Sequence, residues 1–197
     1  MLAKWRQEVA LWVLLTGAII GLVASFVLSI ESLLLAKSAG AVLSCDLNAV
    51  LSCSSVAKHW SAQLLGFPNS FIGLITLPVV ITIAVALLAK ASFPKWFLQA
   101  AQVGAVAGLL FAIWMFYMSF IHIGALCPWC LTLDVGMVFI FFGMMQYMAL
   151  RGMLIGGERW GRVAKVWATK GYGWLVMWSV LVLGVVAIIA KFGSELF

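Results

Sequence analysis

Five apolar runs, each long enough to cross a lipid bilayer, constrain the fold of this 197-residue chain more than any other feature. A helix needs about 20 apolar residues to cross the hydrocarbon core of a membrane. The runs are continuously apolar and do not alternate with a period of two, so they predict helices and not the strands of a barrel. The sequence therefore predicts an all-α integral membrane protein with helices over residues 10–34, 71–89, 97–121, 131–149 and 173–190.

Composition excludes the other broad classes. The chain is 65% hydrophobic and only 9% charged, which leaves too few polar groups to cover the surface of a soluble domain of this length. Its formal net charge of +6 is spread too thinly for a nucleic-acid-binding surface, so we expect no nucleic-acid partner. Membrane topology explains the basic residues better.

The distribution of Lys and Arg predicts the orientation, because membrane proteins keep these residues mainly on the cytoplasmic side. With the N-terminus in the cytoplasm, nine basic residues lie inside and three lie outside, and the inverted topology would reverse these numbers. The inside residues are Lys4, Arg6, Lys90, Lys95, Arg151, Arg159, Arg162, Lys165 and Lys170, and the outside residues are Lys37, Lys58 and Lys191. We therefore predict a multi-pass protein of the cytoplasmic (inner) membrane with its C-terminus outside.

The four cysteines form two pairs that this topology places on the outer side of the membrane. Cys45 and Cys53 lie in the polar loop 35–70, and Cys127 and Cys130 lie in a CPWC sequence at the start of the fourth helix. The outer side is the oxidising compartment, where disulfides persist. Both pairs are therefore candidates for disulfide chemistry.

The CPWC sequence favours a redox-active pair. At the start of a helix, unpaired backbone N–H groups and the helix dipole stabilise a thiolate, and Pro128 is suited to the first helical turn. The short loop between the two cysteines closes an easily reduced disulfide. A structural disulfide and half of a metal site remain as alternatives, although Cys45 and Cys53 are spaced more widely than zinc-binding pairs usually are.

The loop pair is predicted to carry electrons to the CPWC pair. Its segment contains few turn-forming residues and is expected to hold a short helix at the membrane surface. Cys45 is expected to be the more exposed cysteine, which a partner attacks, and Cys53 is expected to contact the CPWC pair. Four cysteines permit three pairings, and a relay requires at least two of these pairings in turn.

Two weaker patterns concern packing and the membrane surface. Gly104 and Gly108 form a GxxxG in the third run, which permits close approach of a neighbouring helix. The segment 151–172 mixes basic residues with Trp and Val, which predicts an amphipathic helix on the cytoplasmic surface. A plain charged loop is the alternative for this segment.

The cysteines and their neighbours resemble the vitamin K epoxide reductase family and its bacterial homologues over roughly residues 10–149. The shared pattern is Cys-Asp, seven residues between the loop cysteines, Ser-Cys-Ser, Asn-Ser before the second helix, and CxxC at the start of the fourth. The resemblance implies a four-helix transmembrane bundle around a quinone, with a fifth transmembrane helix. The implied domains are a catalytic four-helix domain at 1–150, a cytoplasmic interfacial segment at 151–172, and a fifth helix with a short tail at 173–197.

The resemblance also implies roles for individual residues. Cys127 and Cys130 match the active-site pair, with Cys130 beside the quinone, and Cys45 and Cys53 match the shuttle pair. Asn69 matches an asparagine that hydrogen-bonds a quinone oxygen and so stabilises the charge that develops there. Because Asn69 precedes the second helix, an N-cap is the alternative role.

Asp134 departs from the family pattern, because animal members carry a tyrosine at this position. It lies about one helical turn after Cys130 on the same helix face. An ionisable residue inside a membrane helix is costly and is a functional candidate by default, so Asp134 is a candidate quinone-site residue that relays a proton. A water-facing Asp134 without a role is the alternative. The substitution makes a quinone a more plausible substrate than vitamin K epoxide.

We therefore expect a membrane thiol oxidoreductase that oxidises a thioredoxin-like (DsbA-type) extracytoplasmic partner and reduces a membrane quinone of the menaquinone, ubiquinone or phylloquinone type. Residues 191–197 are too few for a fused thioredoxin domain, so the partner is a separate protein or the chain is a truncation. The alternatives are vitamin K epoxide reduction as the main activity, metal handling through cysteine ligands, and a structural subunit with two static disulfides. A DsbB-type oxidase is disfavoured, because it carries its two cysteine pairs in the opposite order.

Overall fold

Long helices dominate the computed structural model of the chain, which describes residues 2–38, 40, 42–48, 50–155 and 157–196. The helices are α1 (Leu2–Lys37), α2 (Cys53–Lys58), α3 (Ser70–Leu88), α4 (Lys95–Tyr117), α5 (Pro128–Arg151), α6 (Gly157–Lys170) and α7 (Tyr172–Leu196). A 3₁₀ turn follows α2 at Trp60–Gln63, and a π-helical turn extends α4 over Met118–Ile123. Over these residues there is no strand, and the only β contact is an isolated parallel bridge between Leu51 and Leu126.

Five helices are long and apolar enough to cross a membrane, which confirms the five predicted spans. They are α1, α3, α4 with its π-helical extension, α5 and α7. The first of them is the longest, with 36 residues. Since about 20 residues cross the hydrocarbon core, α1 is longer than a single crossing requires, and its C-terminal end carries part of the loop contacts described below.

The closest helix pair is α1 with α5, and their backbones touch at glycines. A Cβ atom on Gly136 would lie 2.8 Å from the carbonyl oxygen of Gly17, and one on Gly143 would lie 2.7 Å from the amide nitrogen of Leu14. Small residues at a membrane helix interface permit such an approach and gain dispersion energy along the contact. This contact holds the N-terminal turn of α5 beside the C-terminal half of α1.

The predicted packing role of Gly104 and Gly108 is not borne out. No atom lies within 4 Å of a Cβ built on Gly104, and at Gly108 the nearest group is the flexible end of Met137. The GxxxG that makes backbone contact is instead Gly17 and Gly21 on α1, which faces Gly136. Both patterns look the same in sequence, and only the facing helix distinguishes them.

The two ends of the helices differ in character. At one end, Arg6 near the start of α1 donates a hydrogen bond to the carbonyl oxygen of Ala168 on α6, at 3.2 Å. Ala168 is buried against Ala149 and Leu150, while the exposed side chains of α6 include Trp160. This places a basic, aromatic-rich helix at the end opposite the cysteines, as the amphipathic pattern predicts.

Helix α7 runs along the other long helices toward the cysteine end. Phe192, near its end, is buried and packs with Leu126 and Val50, and its ring meets Phe120 edge to face at 5.6 Å. Most of the other large apolar side chains of α7 are exposed, as expected for a helix that faces lipid.

Candidate functional site

The polar loop after α1 folds around the carboxylate of Asp46. This carboxylate accepts hydrogen bonds from the backbone amides of Leu43 and Ser54, each at 3.0 Å, and from the hydroxyl of Ser52 at 2.9 Å. Partial burial opposes ionisation, but these hydrogen bonds outweigh it and hold the pKa of Asp46 below its ordinary value of 3.8. The Ser52 hydroxyl also accepts a bond from the Ser55 amide and so caps α2 at its N-terminus.

Helix α2 is the short helix expected in this loop, and it begins at Cys53 itself. The loop is tied to the segment before α5 by backbone hydrogen bonds. Leu126 donates to the carbonyl of Val50 at 2.7 Å, and Ser52 donates to the carbonyl of Leu126 at 3.0 Å. These bonds fix Cys53 beside the start of α5, next to the β bridge between Leu51 and Leu126.

The structure places the two cysteine pairs against each other. Cys45 and Cys53 form a disulfide, while Cys127 and Cys130 are free. The sulfur of Cys53 lies 3.0 Å from that of Cys127, and both side chains are 1% exposed. The expected contact between Cys53 and the CPWC pair is therefore present, and it pairs the second loop cysteine with the first CPWC cysteine.

The CPWC sequence opens α5 as expected. Cys127 occupies the N-cap position, and its sulfur accepts a hydrogen bond from the backbone amide of Cys130 at 3.3 Å. Pro128 is the first helical residue, where its missing N–H leaves no carbonyl unpaired. The Cys127 sulfur therefore satisfies one of the backbone N–H groups that the first turn of α5 leaves unpaired.

Cys45 is the more exposed of the two loop cysteines, as expected, but the difference is small, since Cys45 is 5% exposed and Cys53 is 1% exposed. Both are buried, and Cys45 packs in a cluster with Leu43, Val56 and Ala125. The loop folds back onto the C-terminal end of α1 because its apolar residues are buried there. Other molecules therefore reach the disulfide only if part of this loop moves.

Glu31 is a site residue that the cysteine motifs do not indicate. It lies on α1, is 5% exposed, and one of its carboxyl oxygens lies 3.2 Å from the sulfur of Cys45. A signal was present in the sequence, since Glu31 is the only charged residue within the apolar run 10–34. Ionisable residues inside membrane helices are rare and usually functional.

Asn69 precedes α3, but its side chain makes no capping hydrogen bond there, so the N-cap alternative is wrong. Its amide nitrogen donates to the carbonyl of Ser61 at 2.6 Å, and its amide oxygen accepts from the Leu64 amide at 3.2 Å. The amide nitrogen also lies 3.6 Å from the sulfur of Met115 on α4. Asn69 therefore joins the 3₁₀ turn, α3 and α4.

A narrow cleft separates Cys130 from α4. Its walls include Val56, Met115, Phe116, Cys130, Leu131 and Asp134. Its chemistry, apolar walls with a few polar groups, is typical of a site for an apolar ring. The free space is only about 10 Å³, which is room for about one water molecule. Among the described residues, no donor hydrogen-bonds to the Asp134 carboxyl.

The sulfurs of Cys45, Cys53 and Cys127 lie within 4.8 Å of one another, which is close enough for a shared metal ion. Metals bind thiolates, and the Cys45–Cys53 disulfide withdraws two of these three sulfurs from coordination. In the state described, the arrangement is suited to disulfide exchange and not to metal binding.

Comparison of the sequence with known proteins identifies the family to which the chain belongs. A model described as the vitamin K epoxide reductase family matches residues 12–145, which is more than half of the chain and includes the four cysteines, Asn69 and Asp134. No curated protein and no solved structure matches the chain significantly. With five helices suited to a membrane and adjacent cysteine pairs, the chain belongs to the vitamin K epoxide reductase family of membrane oxidoreductases.

Proposed function

We propose that this protein oxidises the dithiol of a thioredoxin-like partner and passes two electrons through Cys45/Cys53 and Cys127/Cys130 to a membrane quinone. The observation that carries the proposal is the 3.0 Å contact between the sulfurs of Cys53 and Cys127. One of these sulfurs is in a disulfide and the other is a free thiol, which is the pairing that thiol–disulfide exchange requires.

The first half of the relay reduces the loop pair. A partner thiolate attacks the sulfur of Cys45, and Cys53 leaves as a thiolate. The second partner thiolate then attacks the mixed disulfide at its own partner sulfur, which releases Cys45. The partner leaves as a disulfide, and the loop pair has gained two electrons and two protons.

The second half passes the electrons inward. The Cys53 thiolate attacks Cys127 of a Cys127–Cys130 disulfide, and Cys130 leaves as a thiolate. Cys45 then attacks Cys53, which re-forms the loop disulfide and releases Cys127. The products are an oxidised loop pair and a reduced CPWC pair, which is the combination of states found here. This agreement supports the proposed order of the two pairs.

A quinone bound next to Cys130 would be the final acceptor of the two electrons and two protons. We place it in the cleft between α4 and α5, where Cys130 and Asp134 line the wall. Met115 lies between this cleft and the Asn69 amide. Because Met is flexible, movement of Met115 would open space and turn the Asn69 amide toward the cleft. Asp134 would then hold or release a proton at the same wall.

The side of the membrane on which the proposed thiol chemistry takes place depends on the orientation of the helices. The basic residues of α6 and the start of α1 lie at one end of the helices and the cysteines lie at the other, which supports a cytoplasmic N-terminus and an extracytoplasmic thiol site. Residues 1–150 would then form the catalytic domain, 151–172 the cytoplasmic interfacial segment, and 173–197 the fifth helix and its tail.

The test is anaerobic mixing of the purified protein with a reduced thioredoxin-like protein and a short-chain quinone. The rate of quinone reduction is measured from the change in quinone absorbance. We expect turnover to require all four cysteines. Cys130→Ser should abolish quinone reduction but leave Cys45/Cys53 able to exchange with the partner. Full turnover in this variant would overturn the proposed order of the relay, and no turnover in the parent protein would overturn the function. Phylloquinone epoxide in place of quinone tests the alternative of epoxide reduction, and metal analysis of the reduced protein tests metal handling.

A further inference from the structure

The carboxyl group of Glu31 lies against the outermost sulfur of the relay. Its two oxygens are 3.2 and 3.5 Å from the sulfur of Cys45, and the hydroxyl of Ser44 donates a hydrogen bond to one of them at 2.6 Å. Among the described residues, Ser44 and Cys45 supply all of its polar contacts, and no basic side chain pairs with it. A buried carboxyl without a cationic partner is costly for stability, so a role in the chemistry accounts for it best.

The state of Cys45 determines where the proton lies. In the disulfide, the Cys45 sulfur carries no hydrogen, so a hydrogen bond across the 3.2 Å contact requires the proton on Glu31. After reduction, the Cys45 thiol has a hydrogen and the carboxylate can accept it. The same pair of atoms can therefore share one proton in both redox states.

We propose that Glu31 transfers a proton to and from Cys45 during the relay, an inference that rests on the proposed function. When the second partner thiolate releases Cys45, the departing Cys45 thiolate takes the proton of the Glu31 carboxyl. When the loop pair is re-oxidised, the Cys45 thiol returns this proton to the Glu31 carboxylate and attacks Cys53. One proton moves in each direction per cycle, and the electrons follow the disulfides as described above.

The surroundings of Glu31 support proton transfer over a purely structural role. Cys45 in the loop contacts Glu31 directly, and Cys130 at the start of α5 packs in the same cluster as Cys45. The carboxylate of Asp46 in the same loop already accepts three hydrogen bonds, from the Leu43 and Ser54 amides and the Ser52 hydroxyl. Ser44 is exposed and links Glu31 to the loop surface, which gives the carboxyl a path to exchange its proton with water.

The experiment starts from the fully reduced protein and uses rapid anaerobic mixing with excess short-chain quinone. Cys127 and Cys130 should reduce the first equivalent of quinone directly, and the second equivalent should require transfer from Cys45 and Cys53. Glu31→Gln keeps the size of the side chain but cannot transfer a proton. We expect it to leave the first phase unchanged and to slow the second phase by about 100-fold or more, as removal of an acid–base group typically does.

Two further variants control this result. Glu8→Gln changes an exposed glutamate near the other end of α1 and should leave both phases unchanged. Glu31→Asp keeps a carboxyl group and should restore part of the second phase. The attacking thiols give the second phase a pH dependence of their own, and we expect the pH profile in Glu31→Gln to differ from that of the parent protein because the contribution of the carboxyl group is missing.

The outcomes separate this inference from the proposed function. Absence of both phases in the parent protein would overturn the function itself. Two phases in the parent protein, with the same second-phase rate and pH profile in Glu31→Gln, would overturn only the role of Glu31. A slower second phase with an unchanged pH profile would also overturn proton transfer, because it would leave Glu31 with a positioning role alone.

Discussion

The glycine contact between α1 and α5 predicts that Gly136→Ala destabilises the protein. An added Cβ would lie 2.8 Å from the carbonyl oxygen of Gly17 and 3.0 Å from the amide nitrogen of Gly21. Ordinary van der Waals contact begins at 3.4 Å, so the two backbones must separate by about 0.6 Å at this point. Backbone atoms cannot move aside as a flexible side chain can, and overpacking of this kind costs about 1–3 kcal/mol.

A matched variant removes the effect of helix propensity. Alanine is favoured over glycine in a helix by up to about 1 kcal/mol, and this gain applies equally to Gly136→Ala and Gly104→Ala. At Gly104 the added Cβ would meet no atom within 4 Å. The difference between the two variants therefore measures the clash alone, and we expect Gly104→Ala to be more stable than Gly136→Ala by about 1–3 kcal/mol.

The measurement is unfolding by sodium dodecyl sulfate in mixed micelles. Circular dichroism monitors the loss of helix, and the rate at which a reductant reduces the Cys45–Cys53 disulfide monitors the loss of its protection. Gly136→Ala should unfold at a lower detergent fraction than the parent protein or Gly104→Ala. If Gly136→Ala unfolds at the same fraction as Gly104→Ala, or at a higher one, the backbone contact between α1 and α5 is not as close as described.

Three further predictions concern the polar residues of the site. Asn69→Ala should slow quinone reduction and loosen the 3₁₀ turn that its side chain holds, and an unchanged rate with faster proteolysis of the loop would leave only the structural role. Asp134→Asn should change the pH dependence of quinone reduction, and an identical profile would remove Asp134 from the mechanism. Because the folded-state pKa of Asp46 is depressed, its stabilisation of the loop is complete above its ordinary value of 3.8 and is lost as the pH falls through the lower folded value. A phosphine reductant should therefore reduce Cys45–Cys53 faster at pH values below 3.8 than above, and Asp46→Asn should remove this difference.

Much of the fold follows from local features of the sequence. Each membrane helix is specified by a continuous apolar run, since a segment in lipid must satisfy its own backbone hydrogen bonds. The start of α5 is also specified locally. Cys127 accepts a capping hydrogen bond from the amide of Cys130, and Pro128 is suited to the first helical position between them. The family pattern likewise depends on spacings along the chain, which any fold of this chain preserves.

The site itself depends on contacts between residues far apart in the sequence. Cys53 and Cys127 are separated by 74 positions and meet only because the loop bonds to the segment before α5. Two GxxxG patterns look alike in the sequence, but only Gly17 and Gly21 make backbone contact with a neighbouring helix, through Gly136 of α5. Loop folding buries Cys45 and brings Glu31 to its sulfur, and neither contact is indicated by the residues around Cys45 in the sequence.

The sequence by itself therefore determined the membrane helices, the two cysteine pairs and the family, because each depends on residues that are neighbours along the chain or on spacings within it. The tertiary structure alone decided which sulfurs meet, which glycines let helices touch, and which carboxyl group faces the relay. These contacts depend on how apolar surfaces pack once the helices have formed, and no local pattern in the chain specifies that packing.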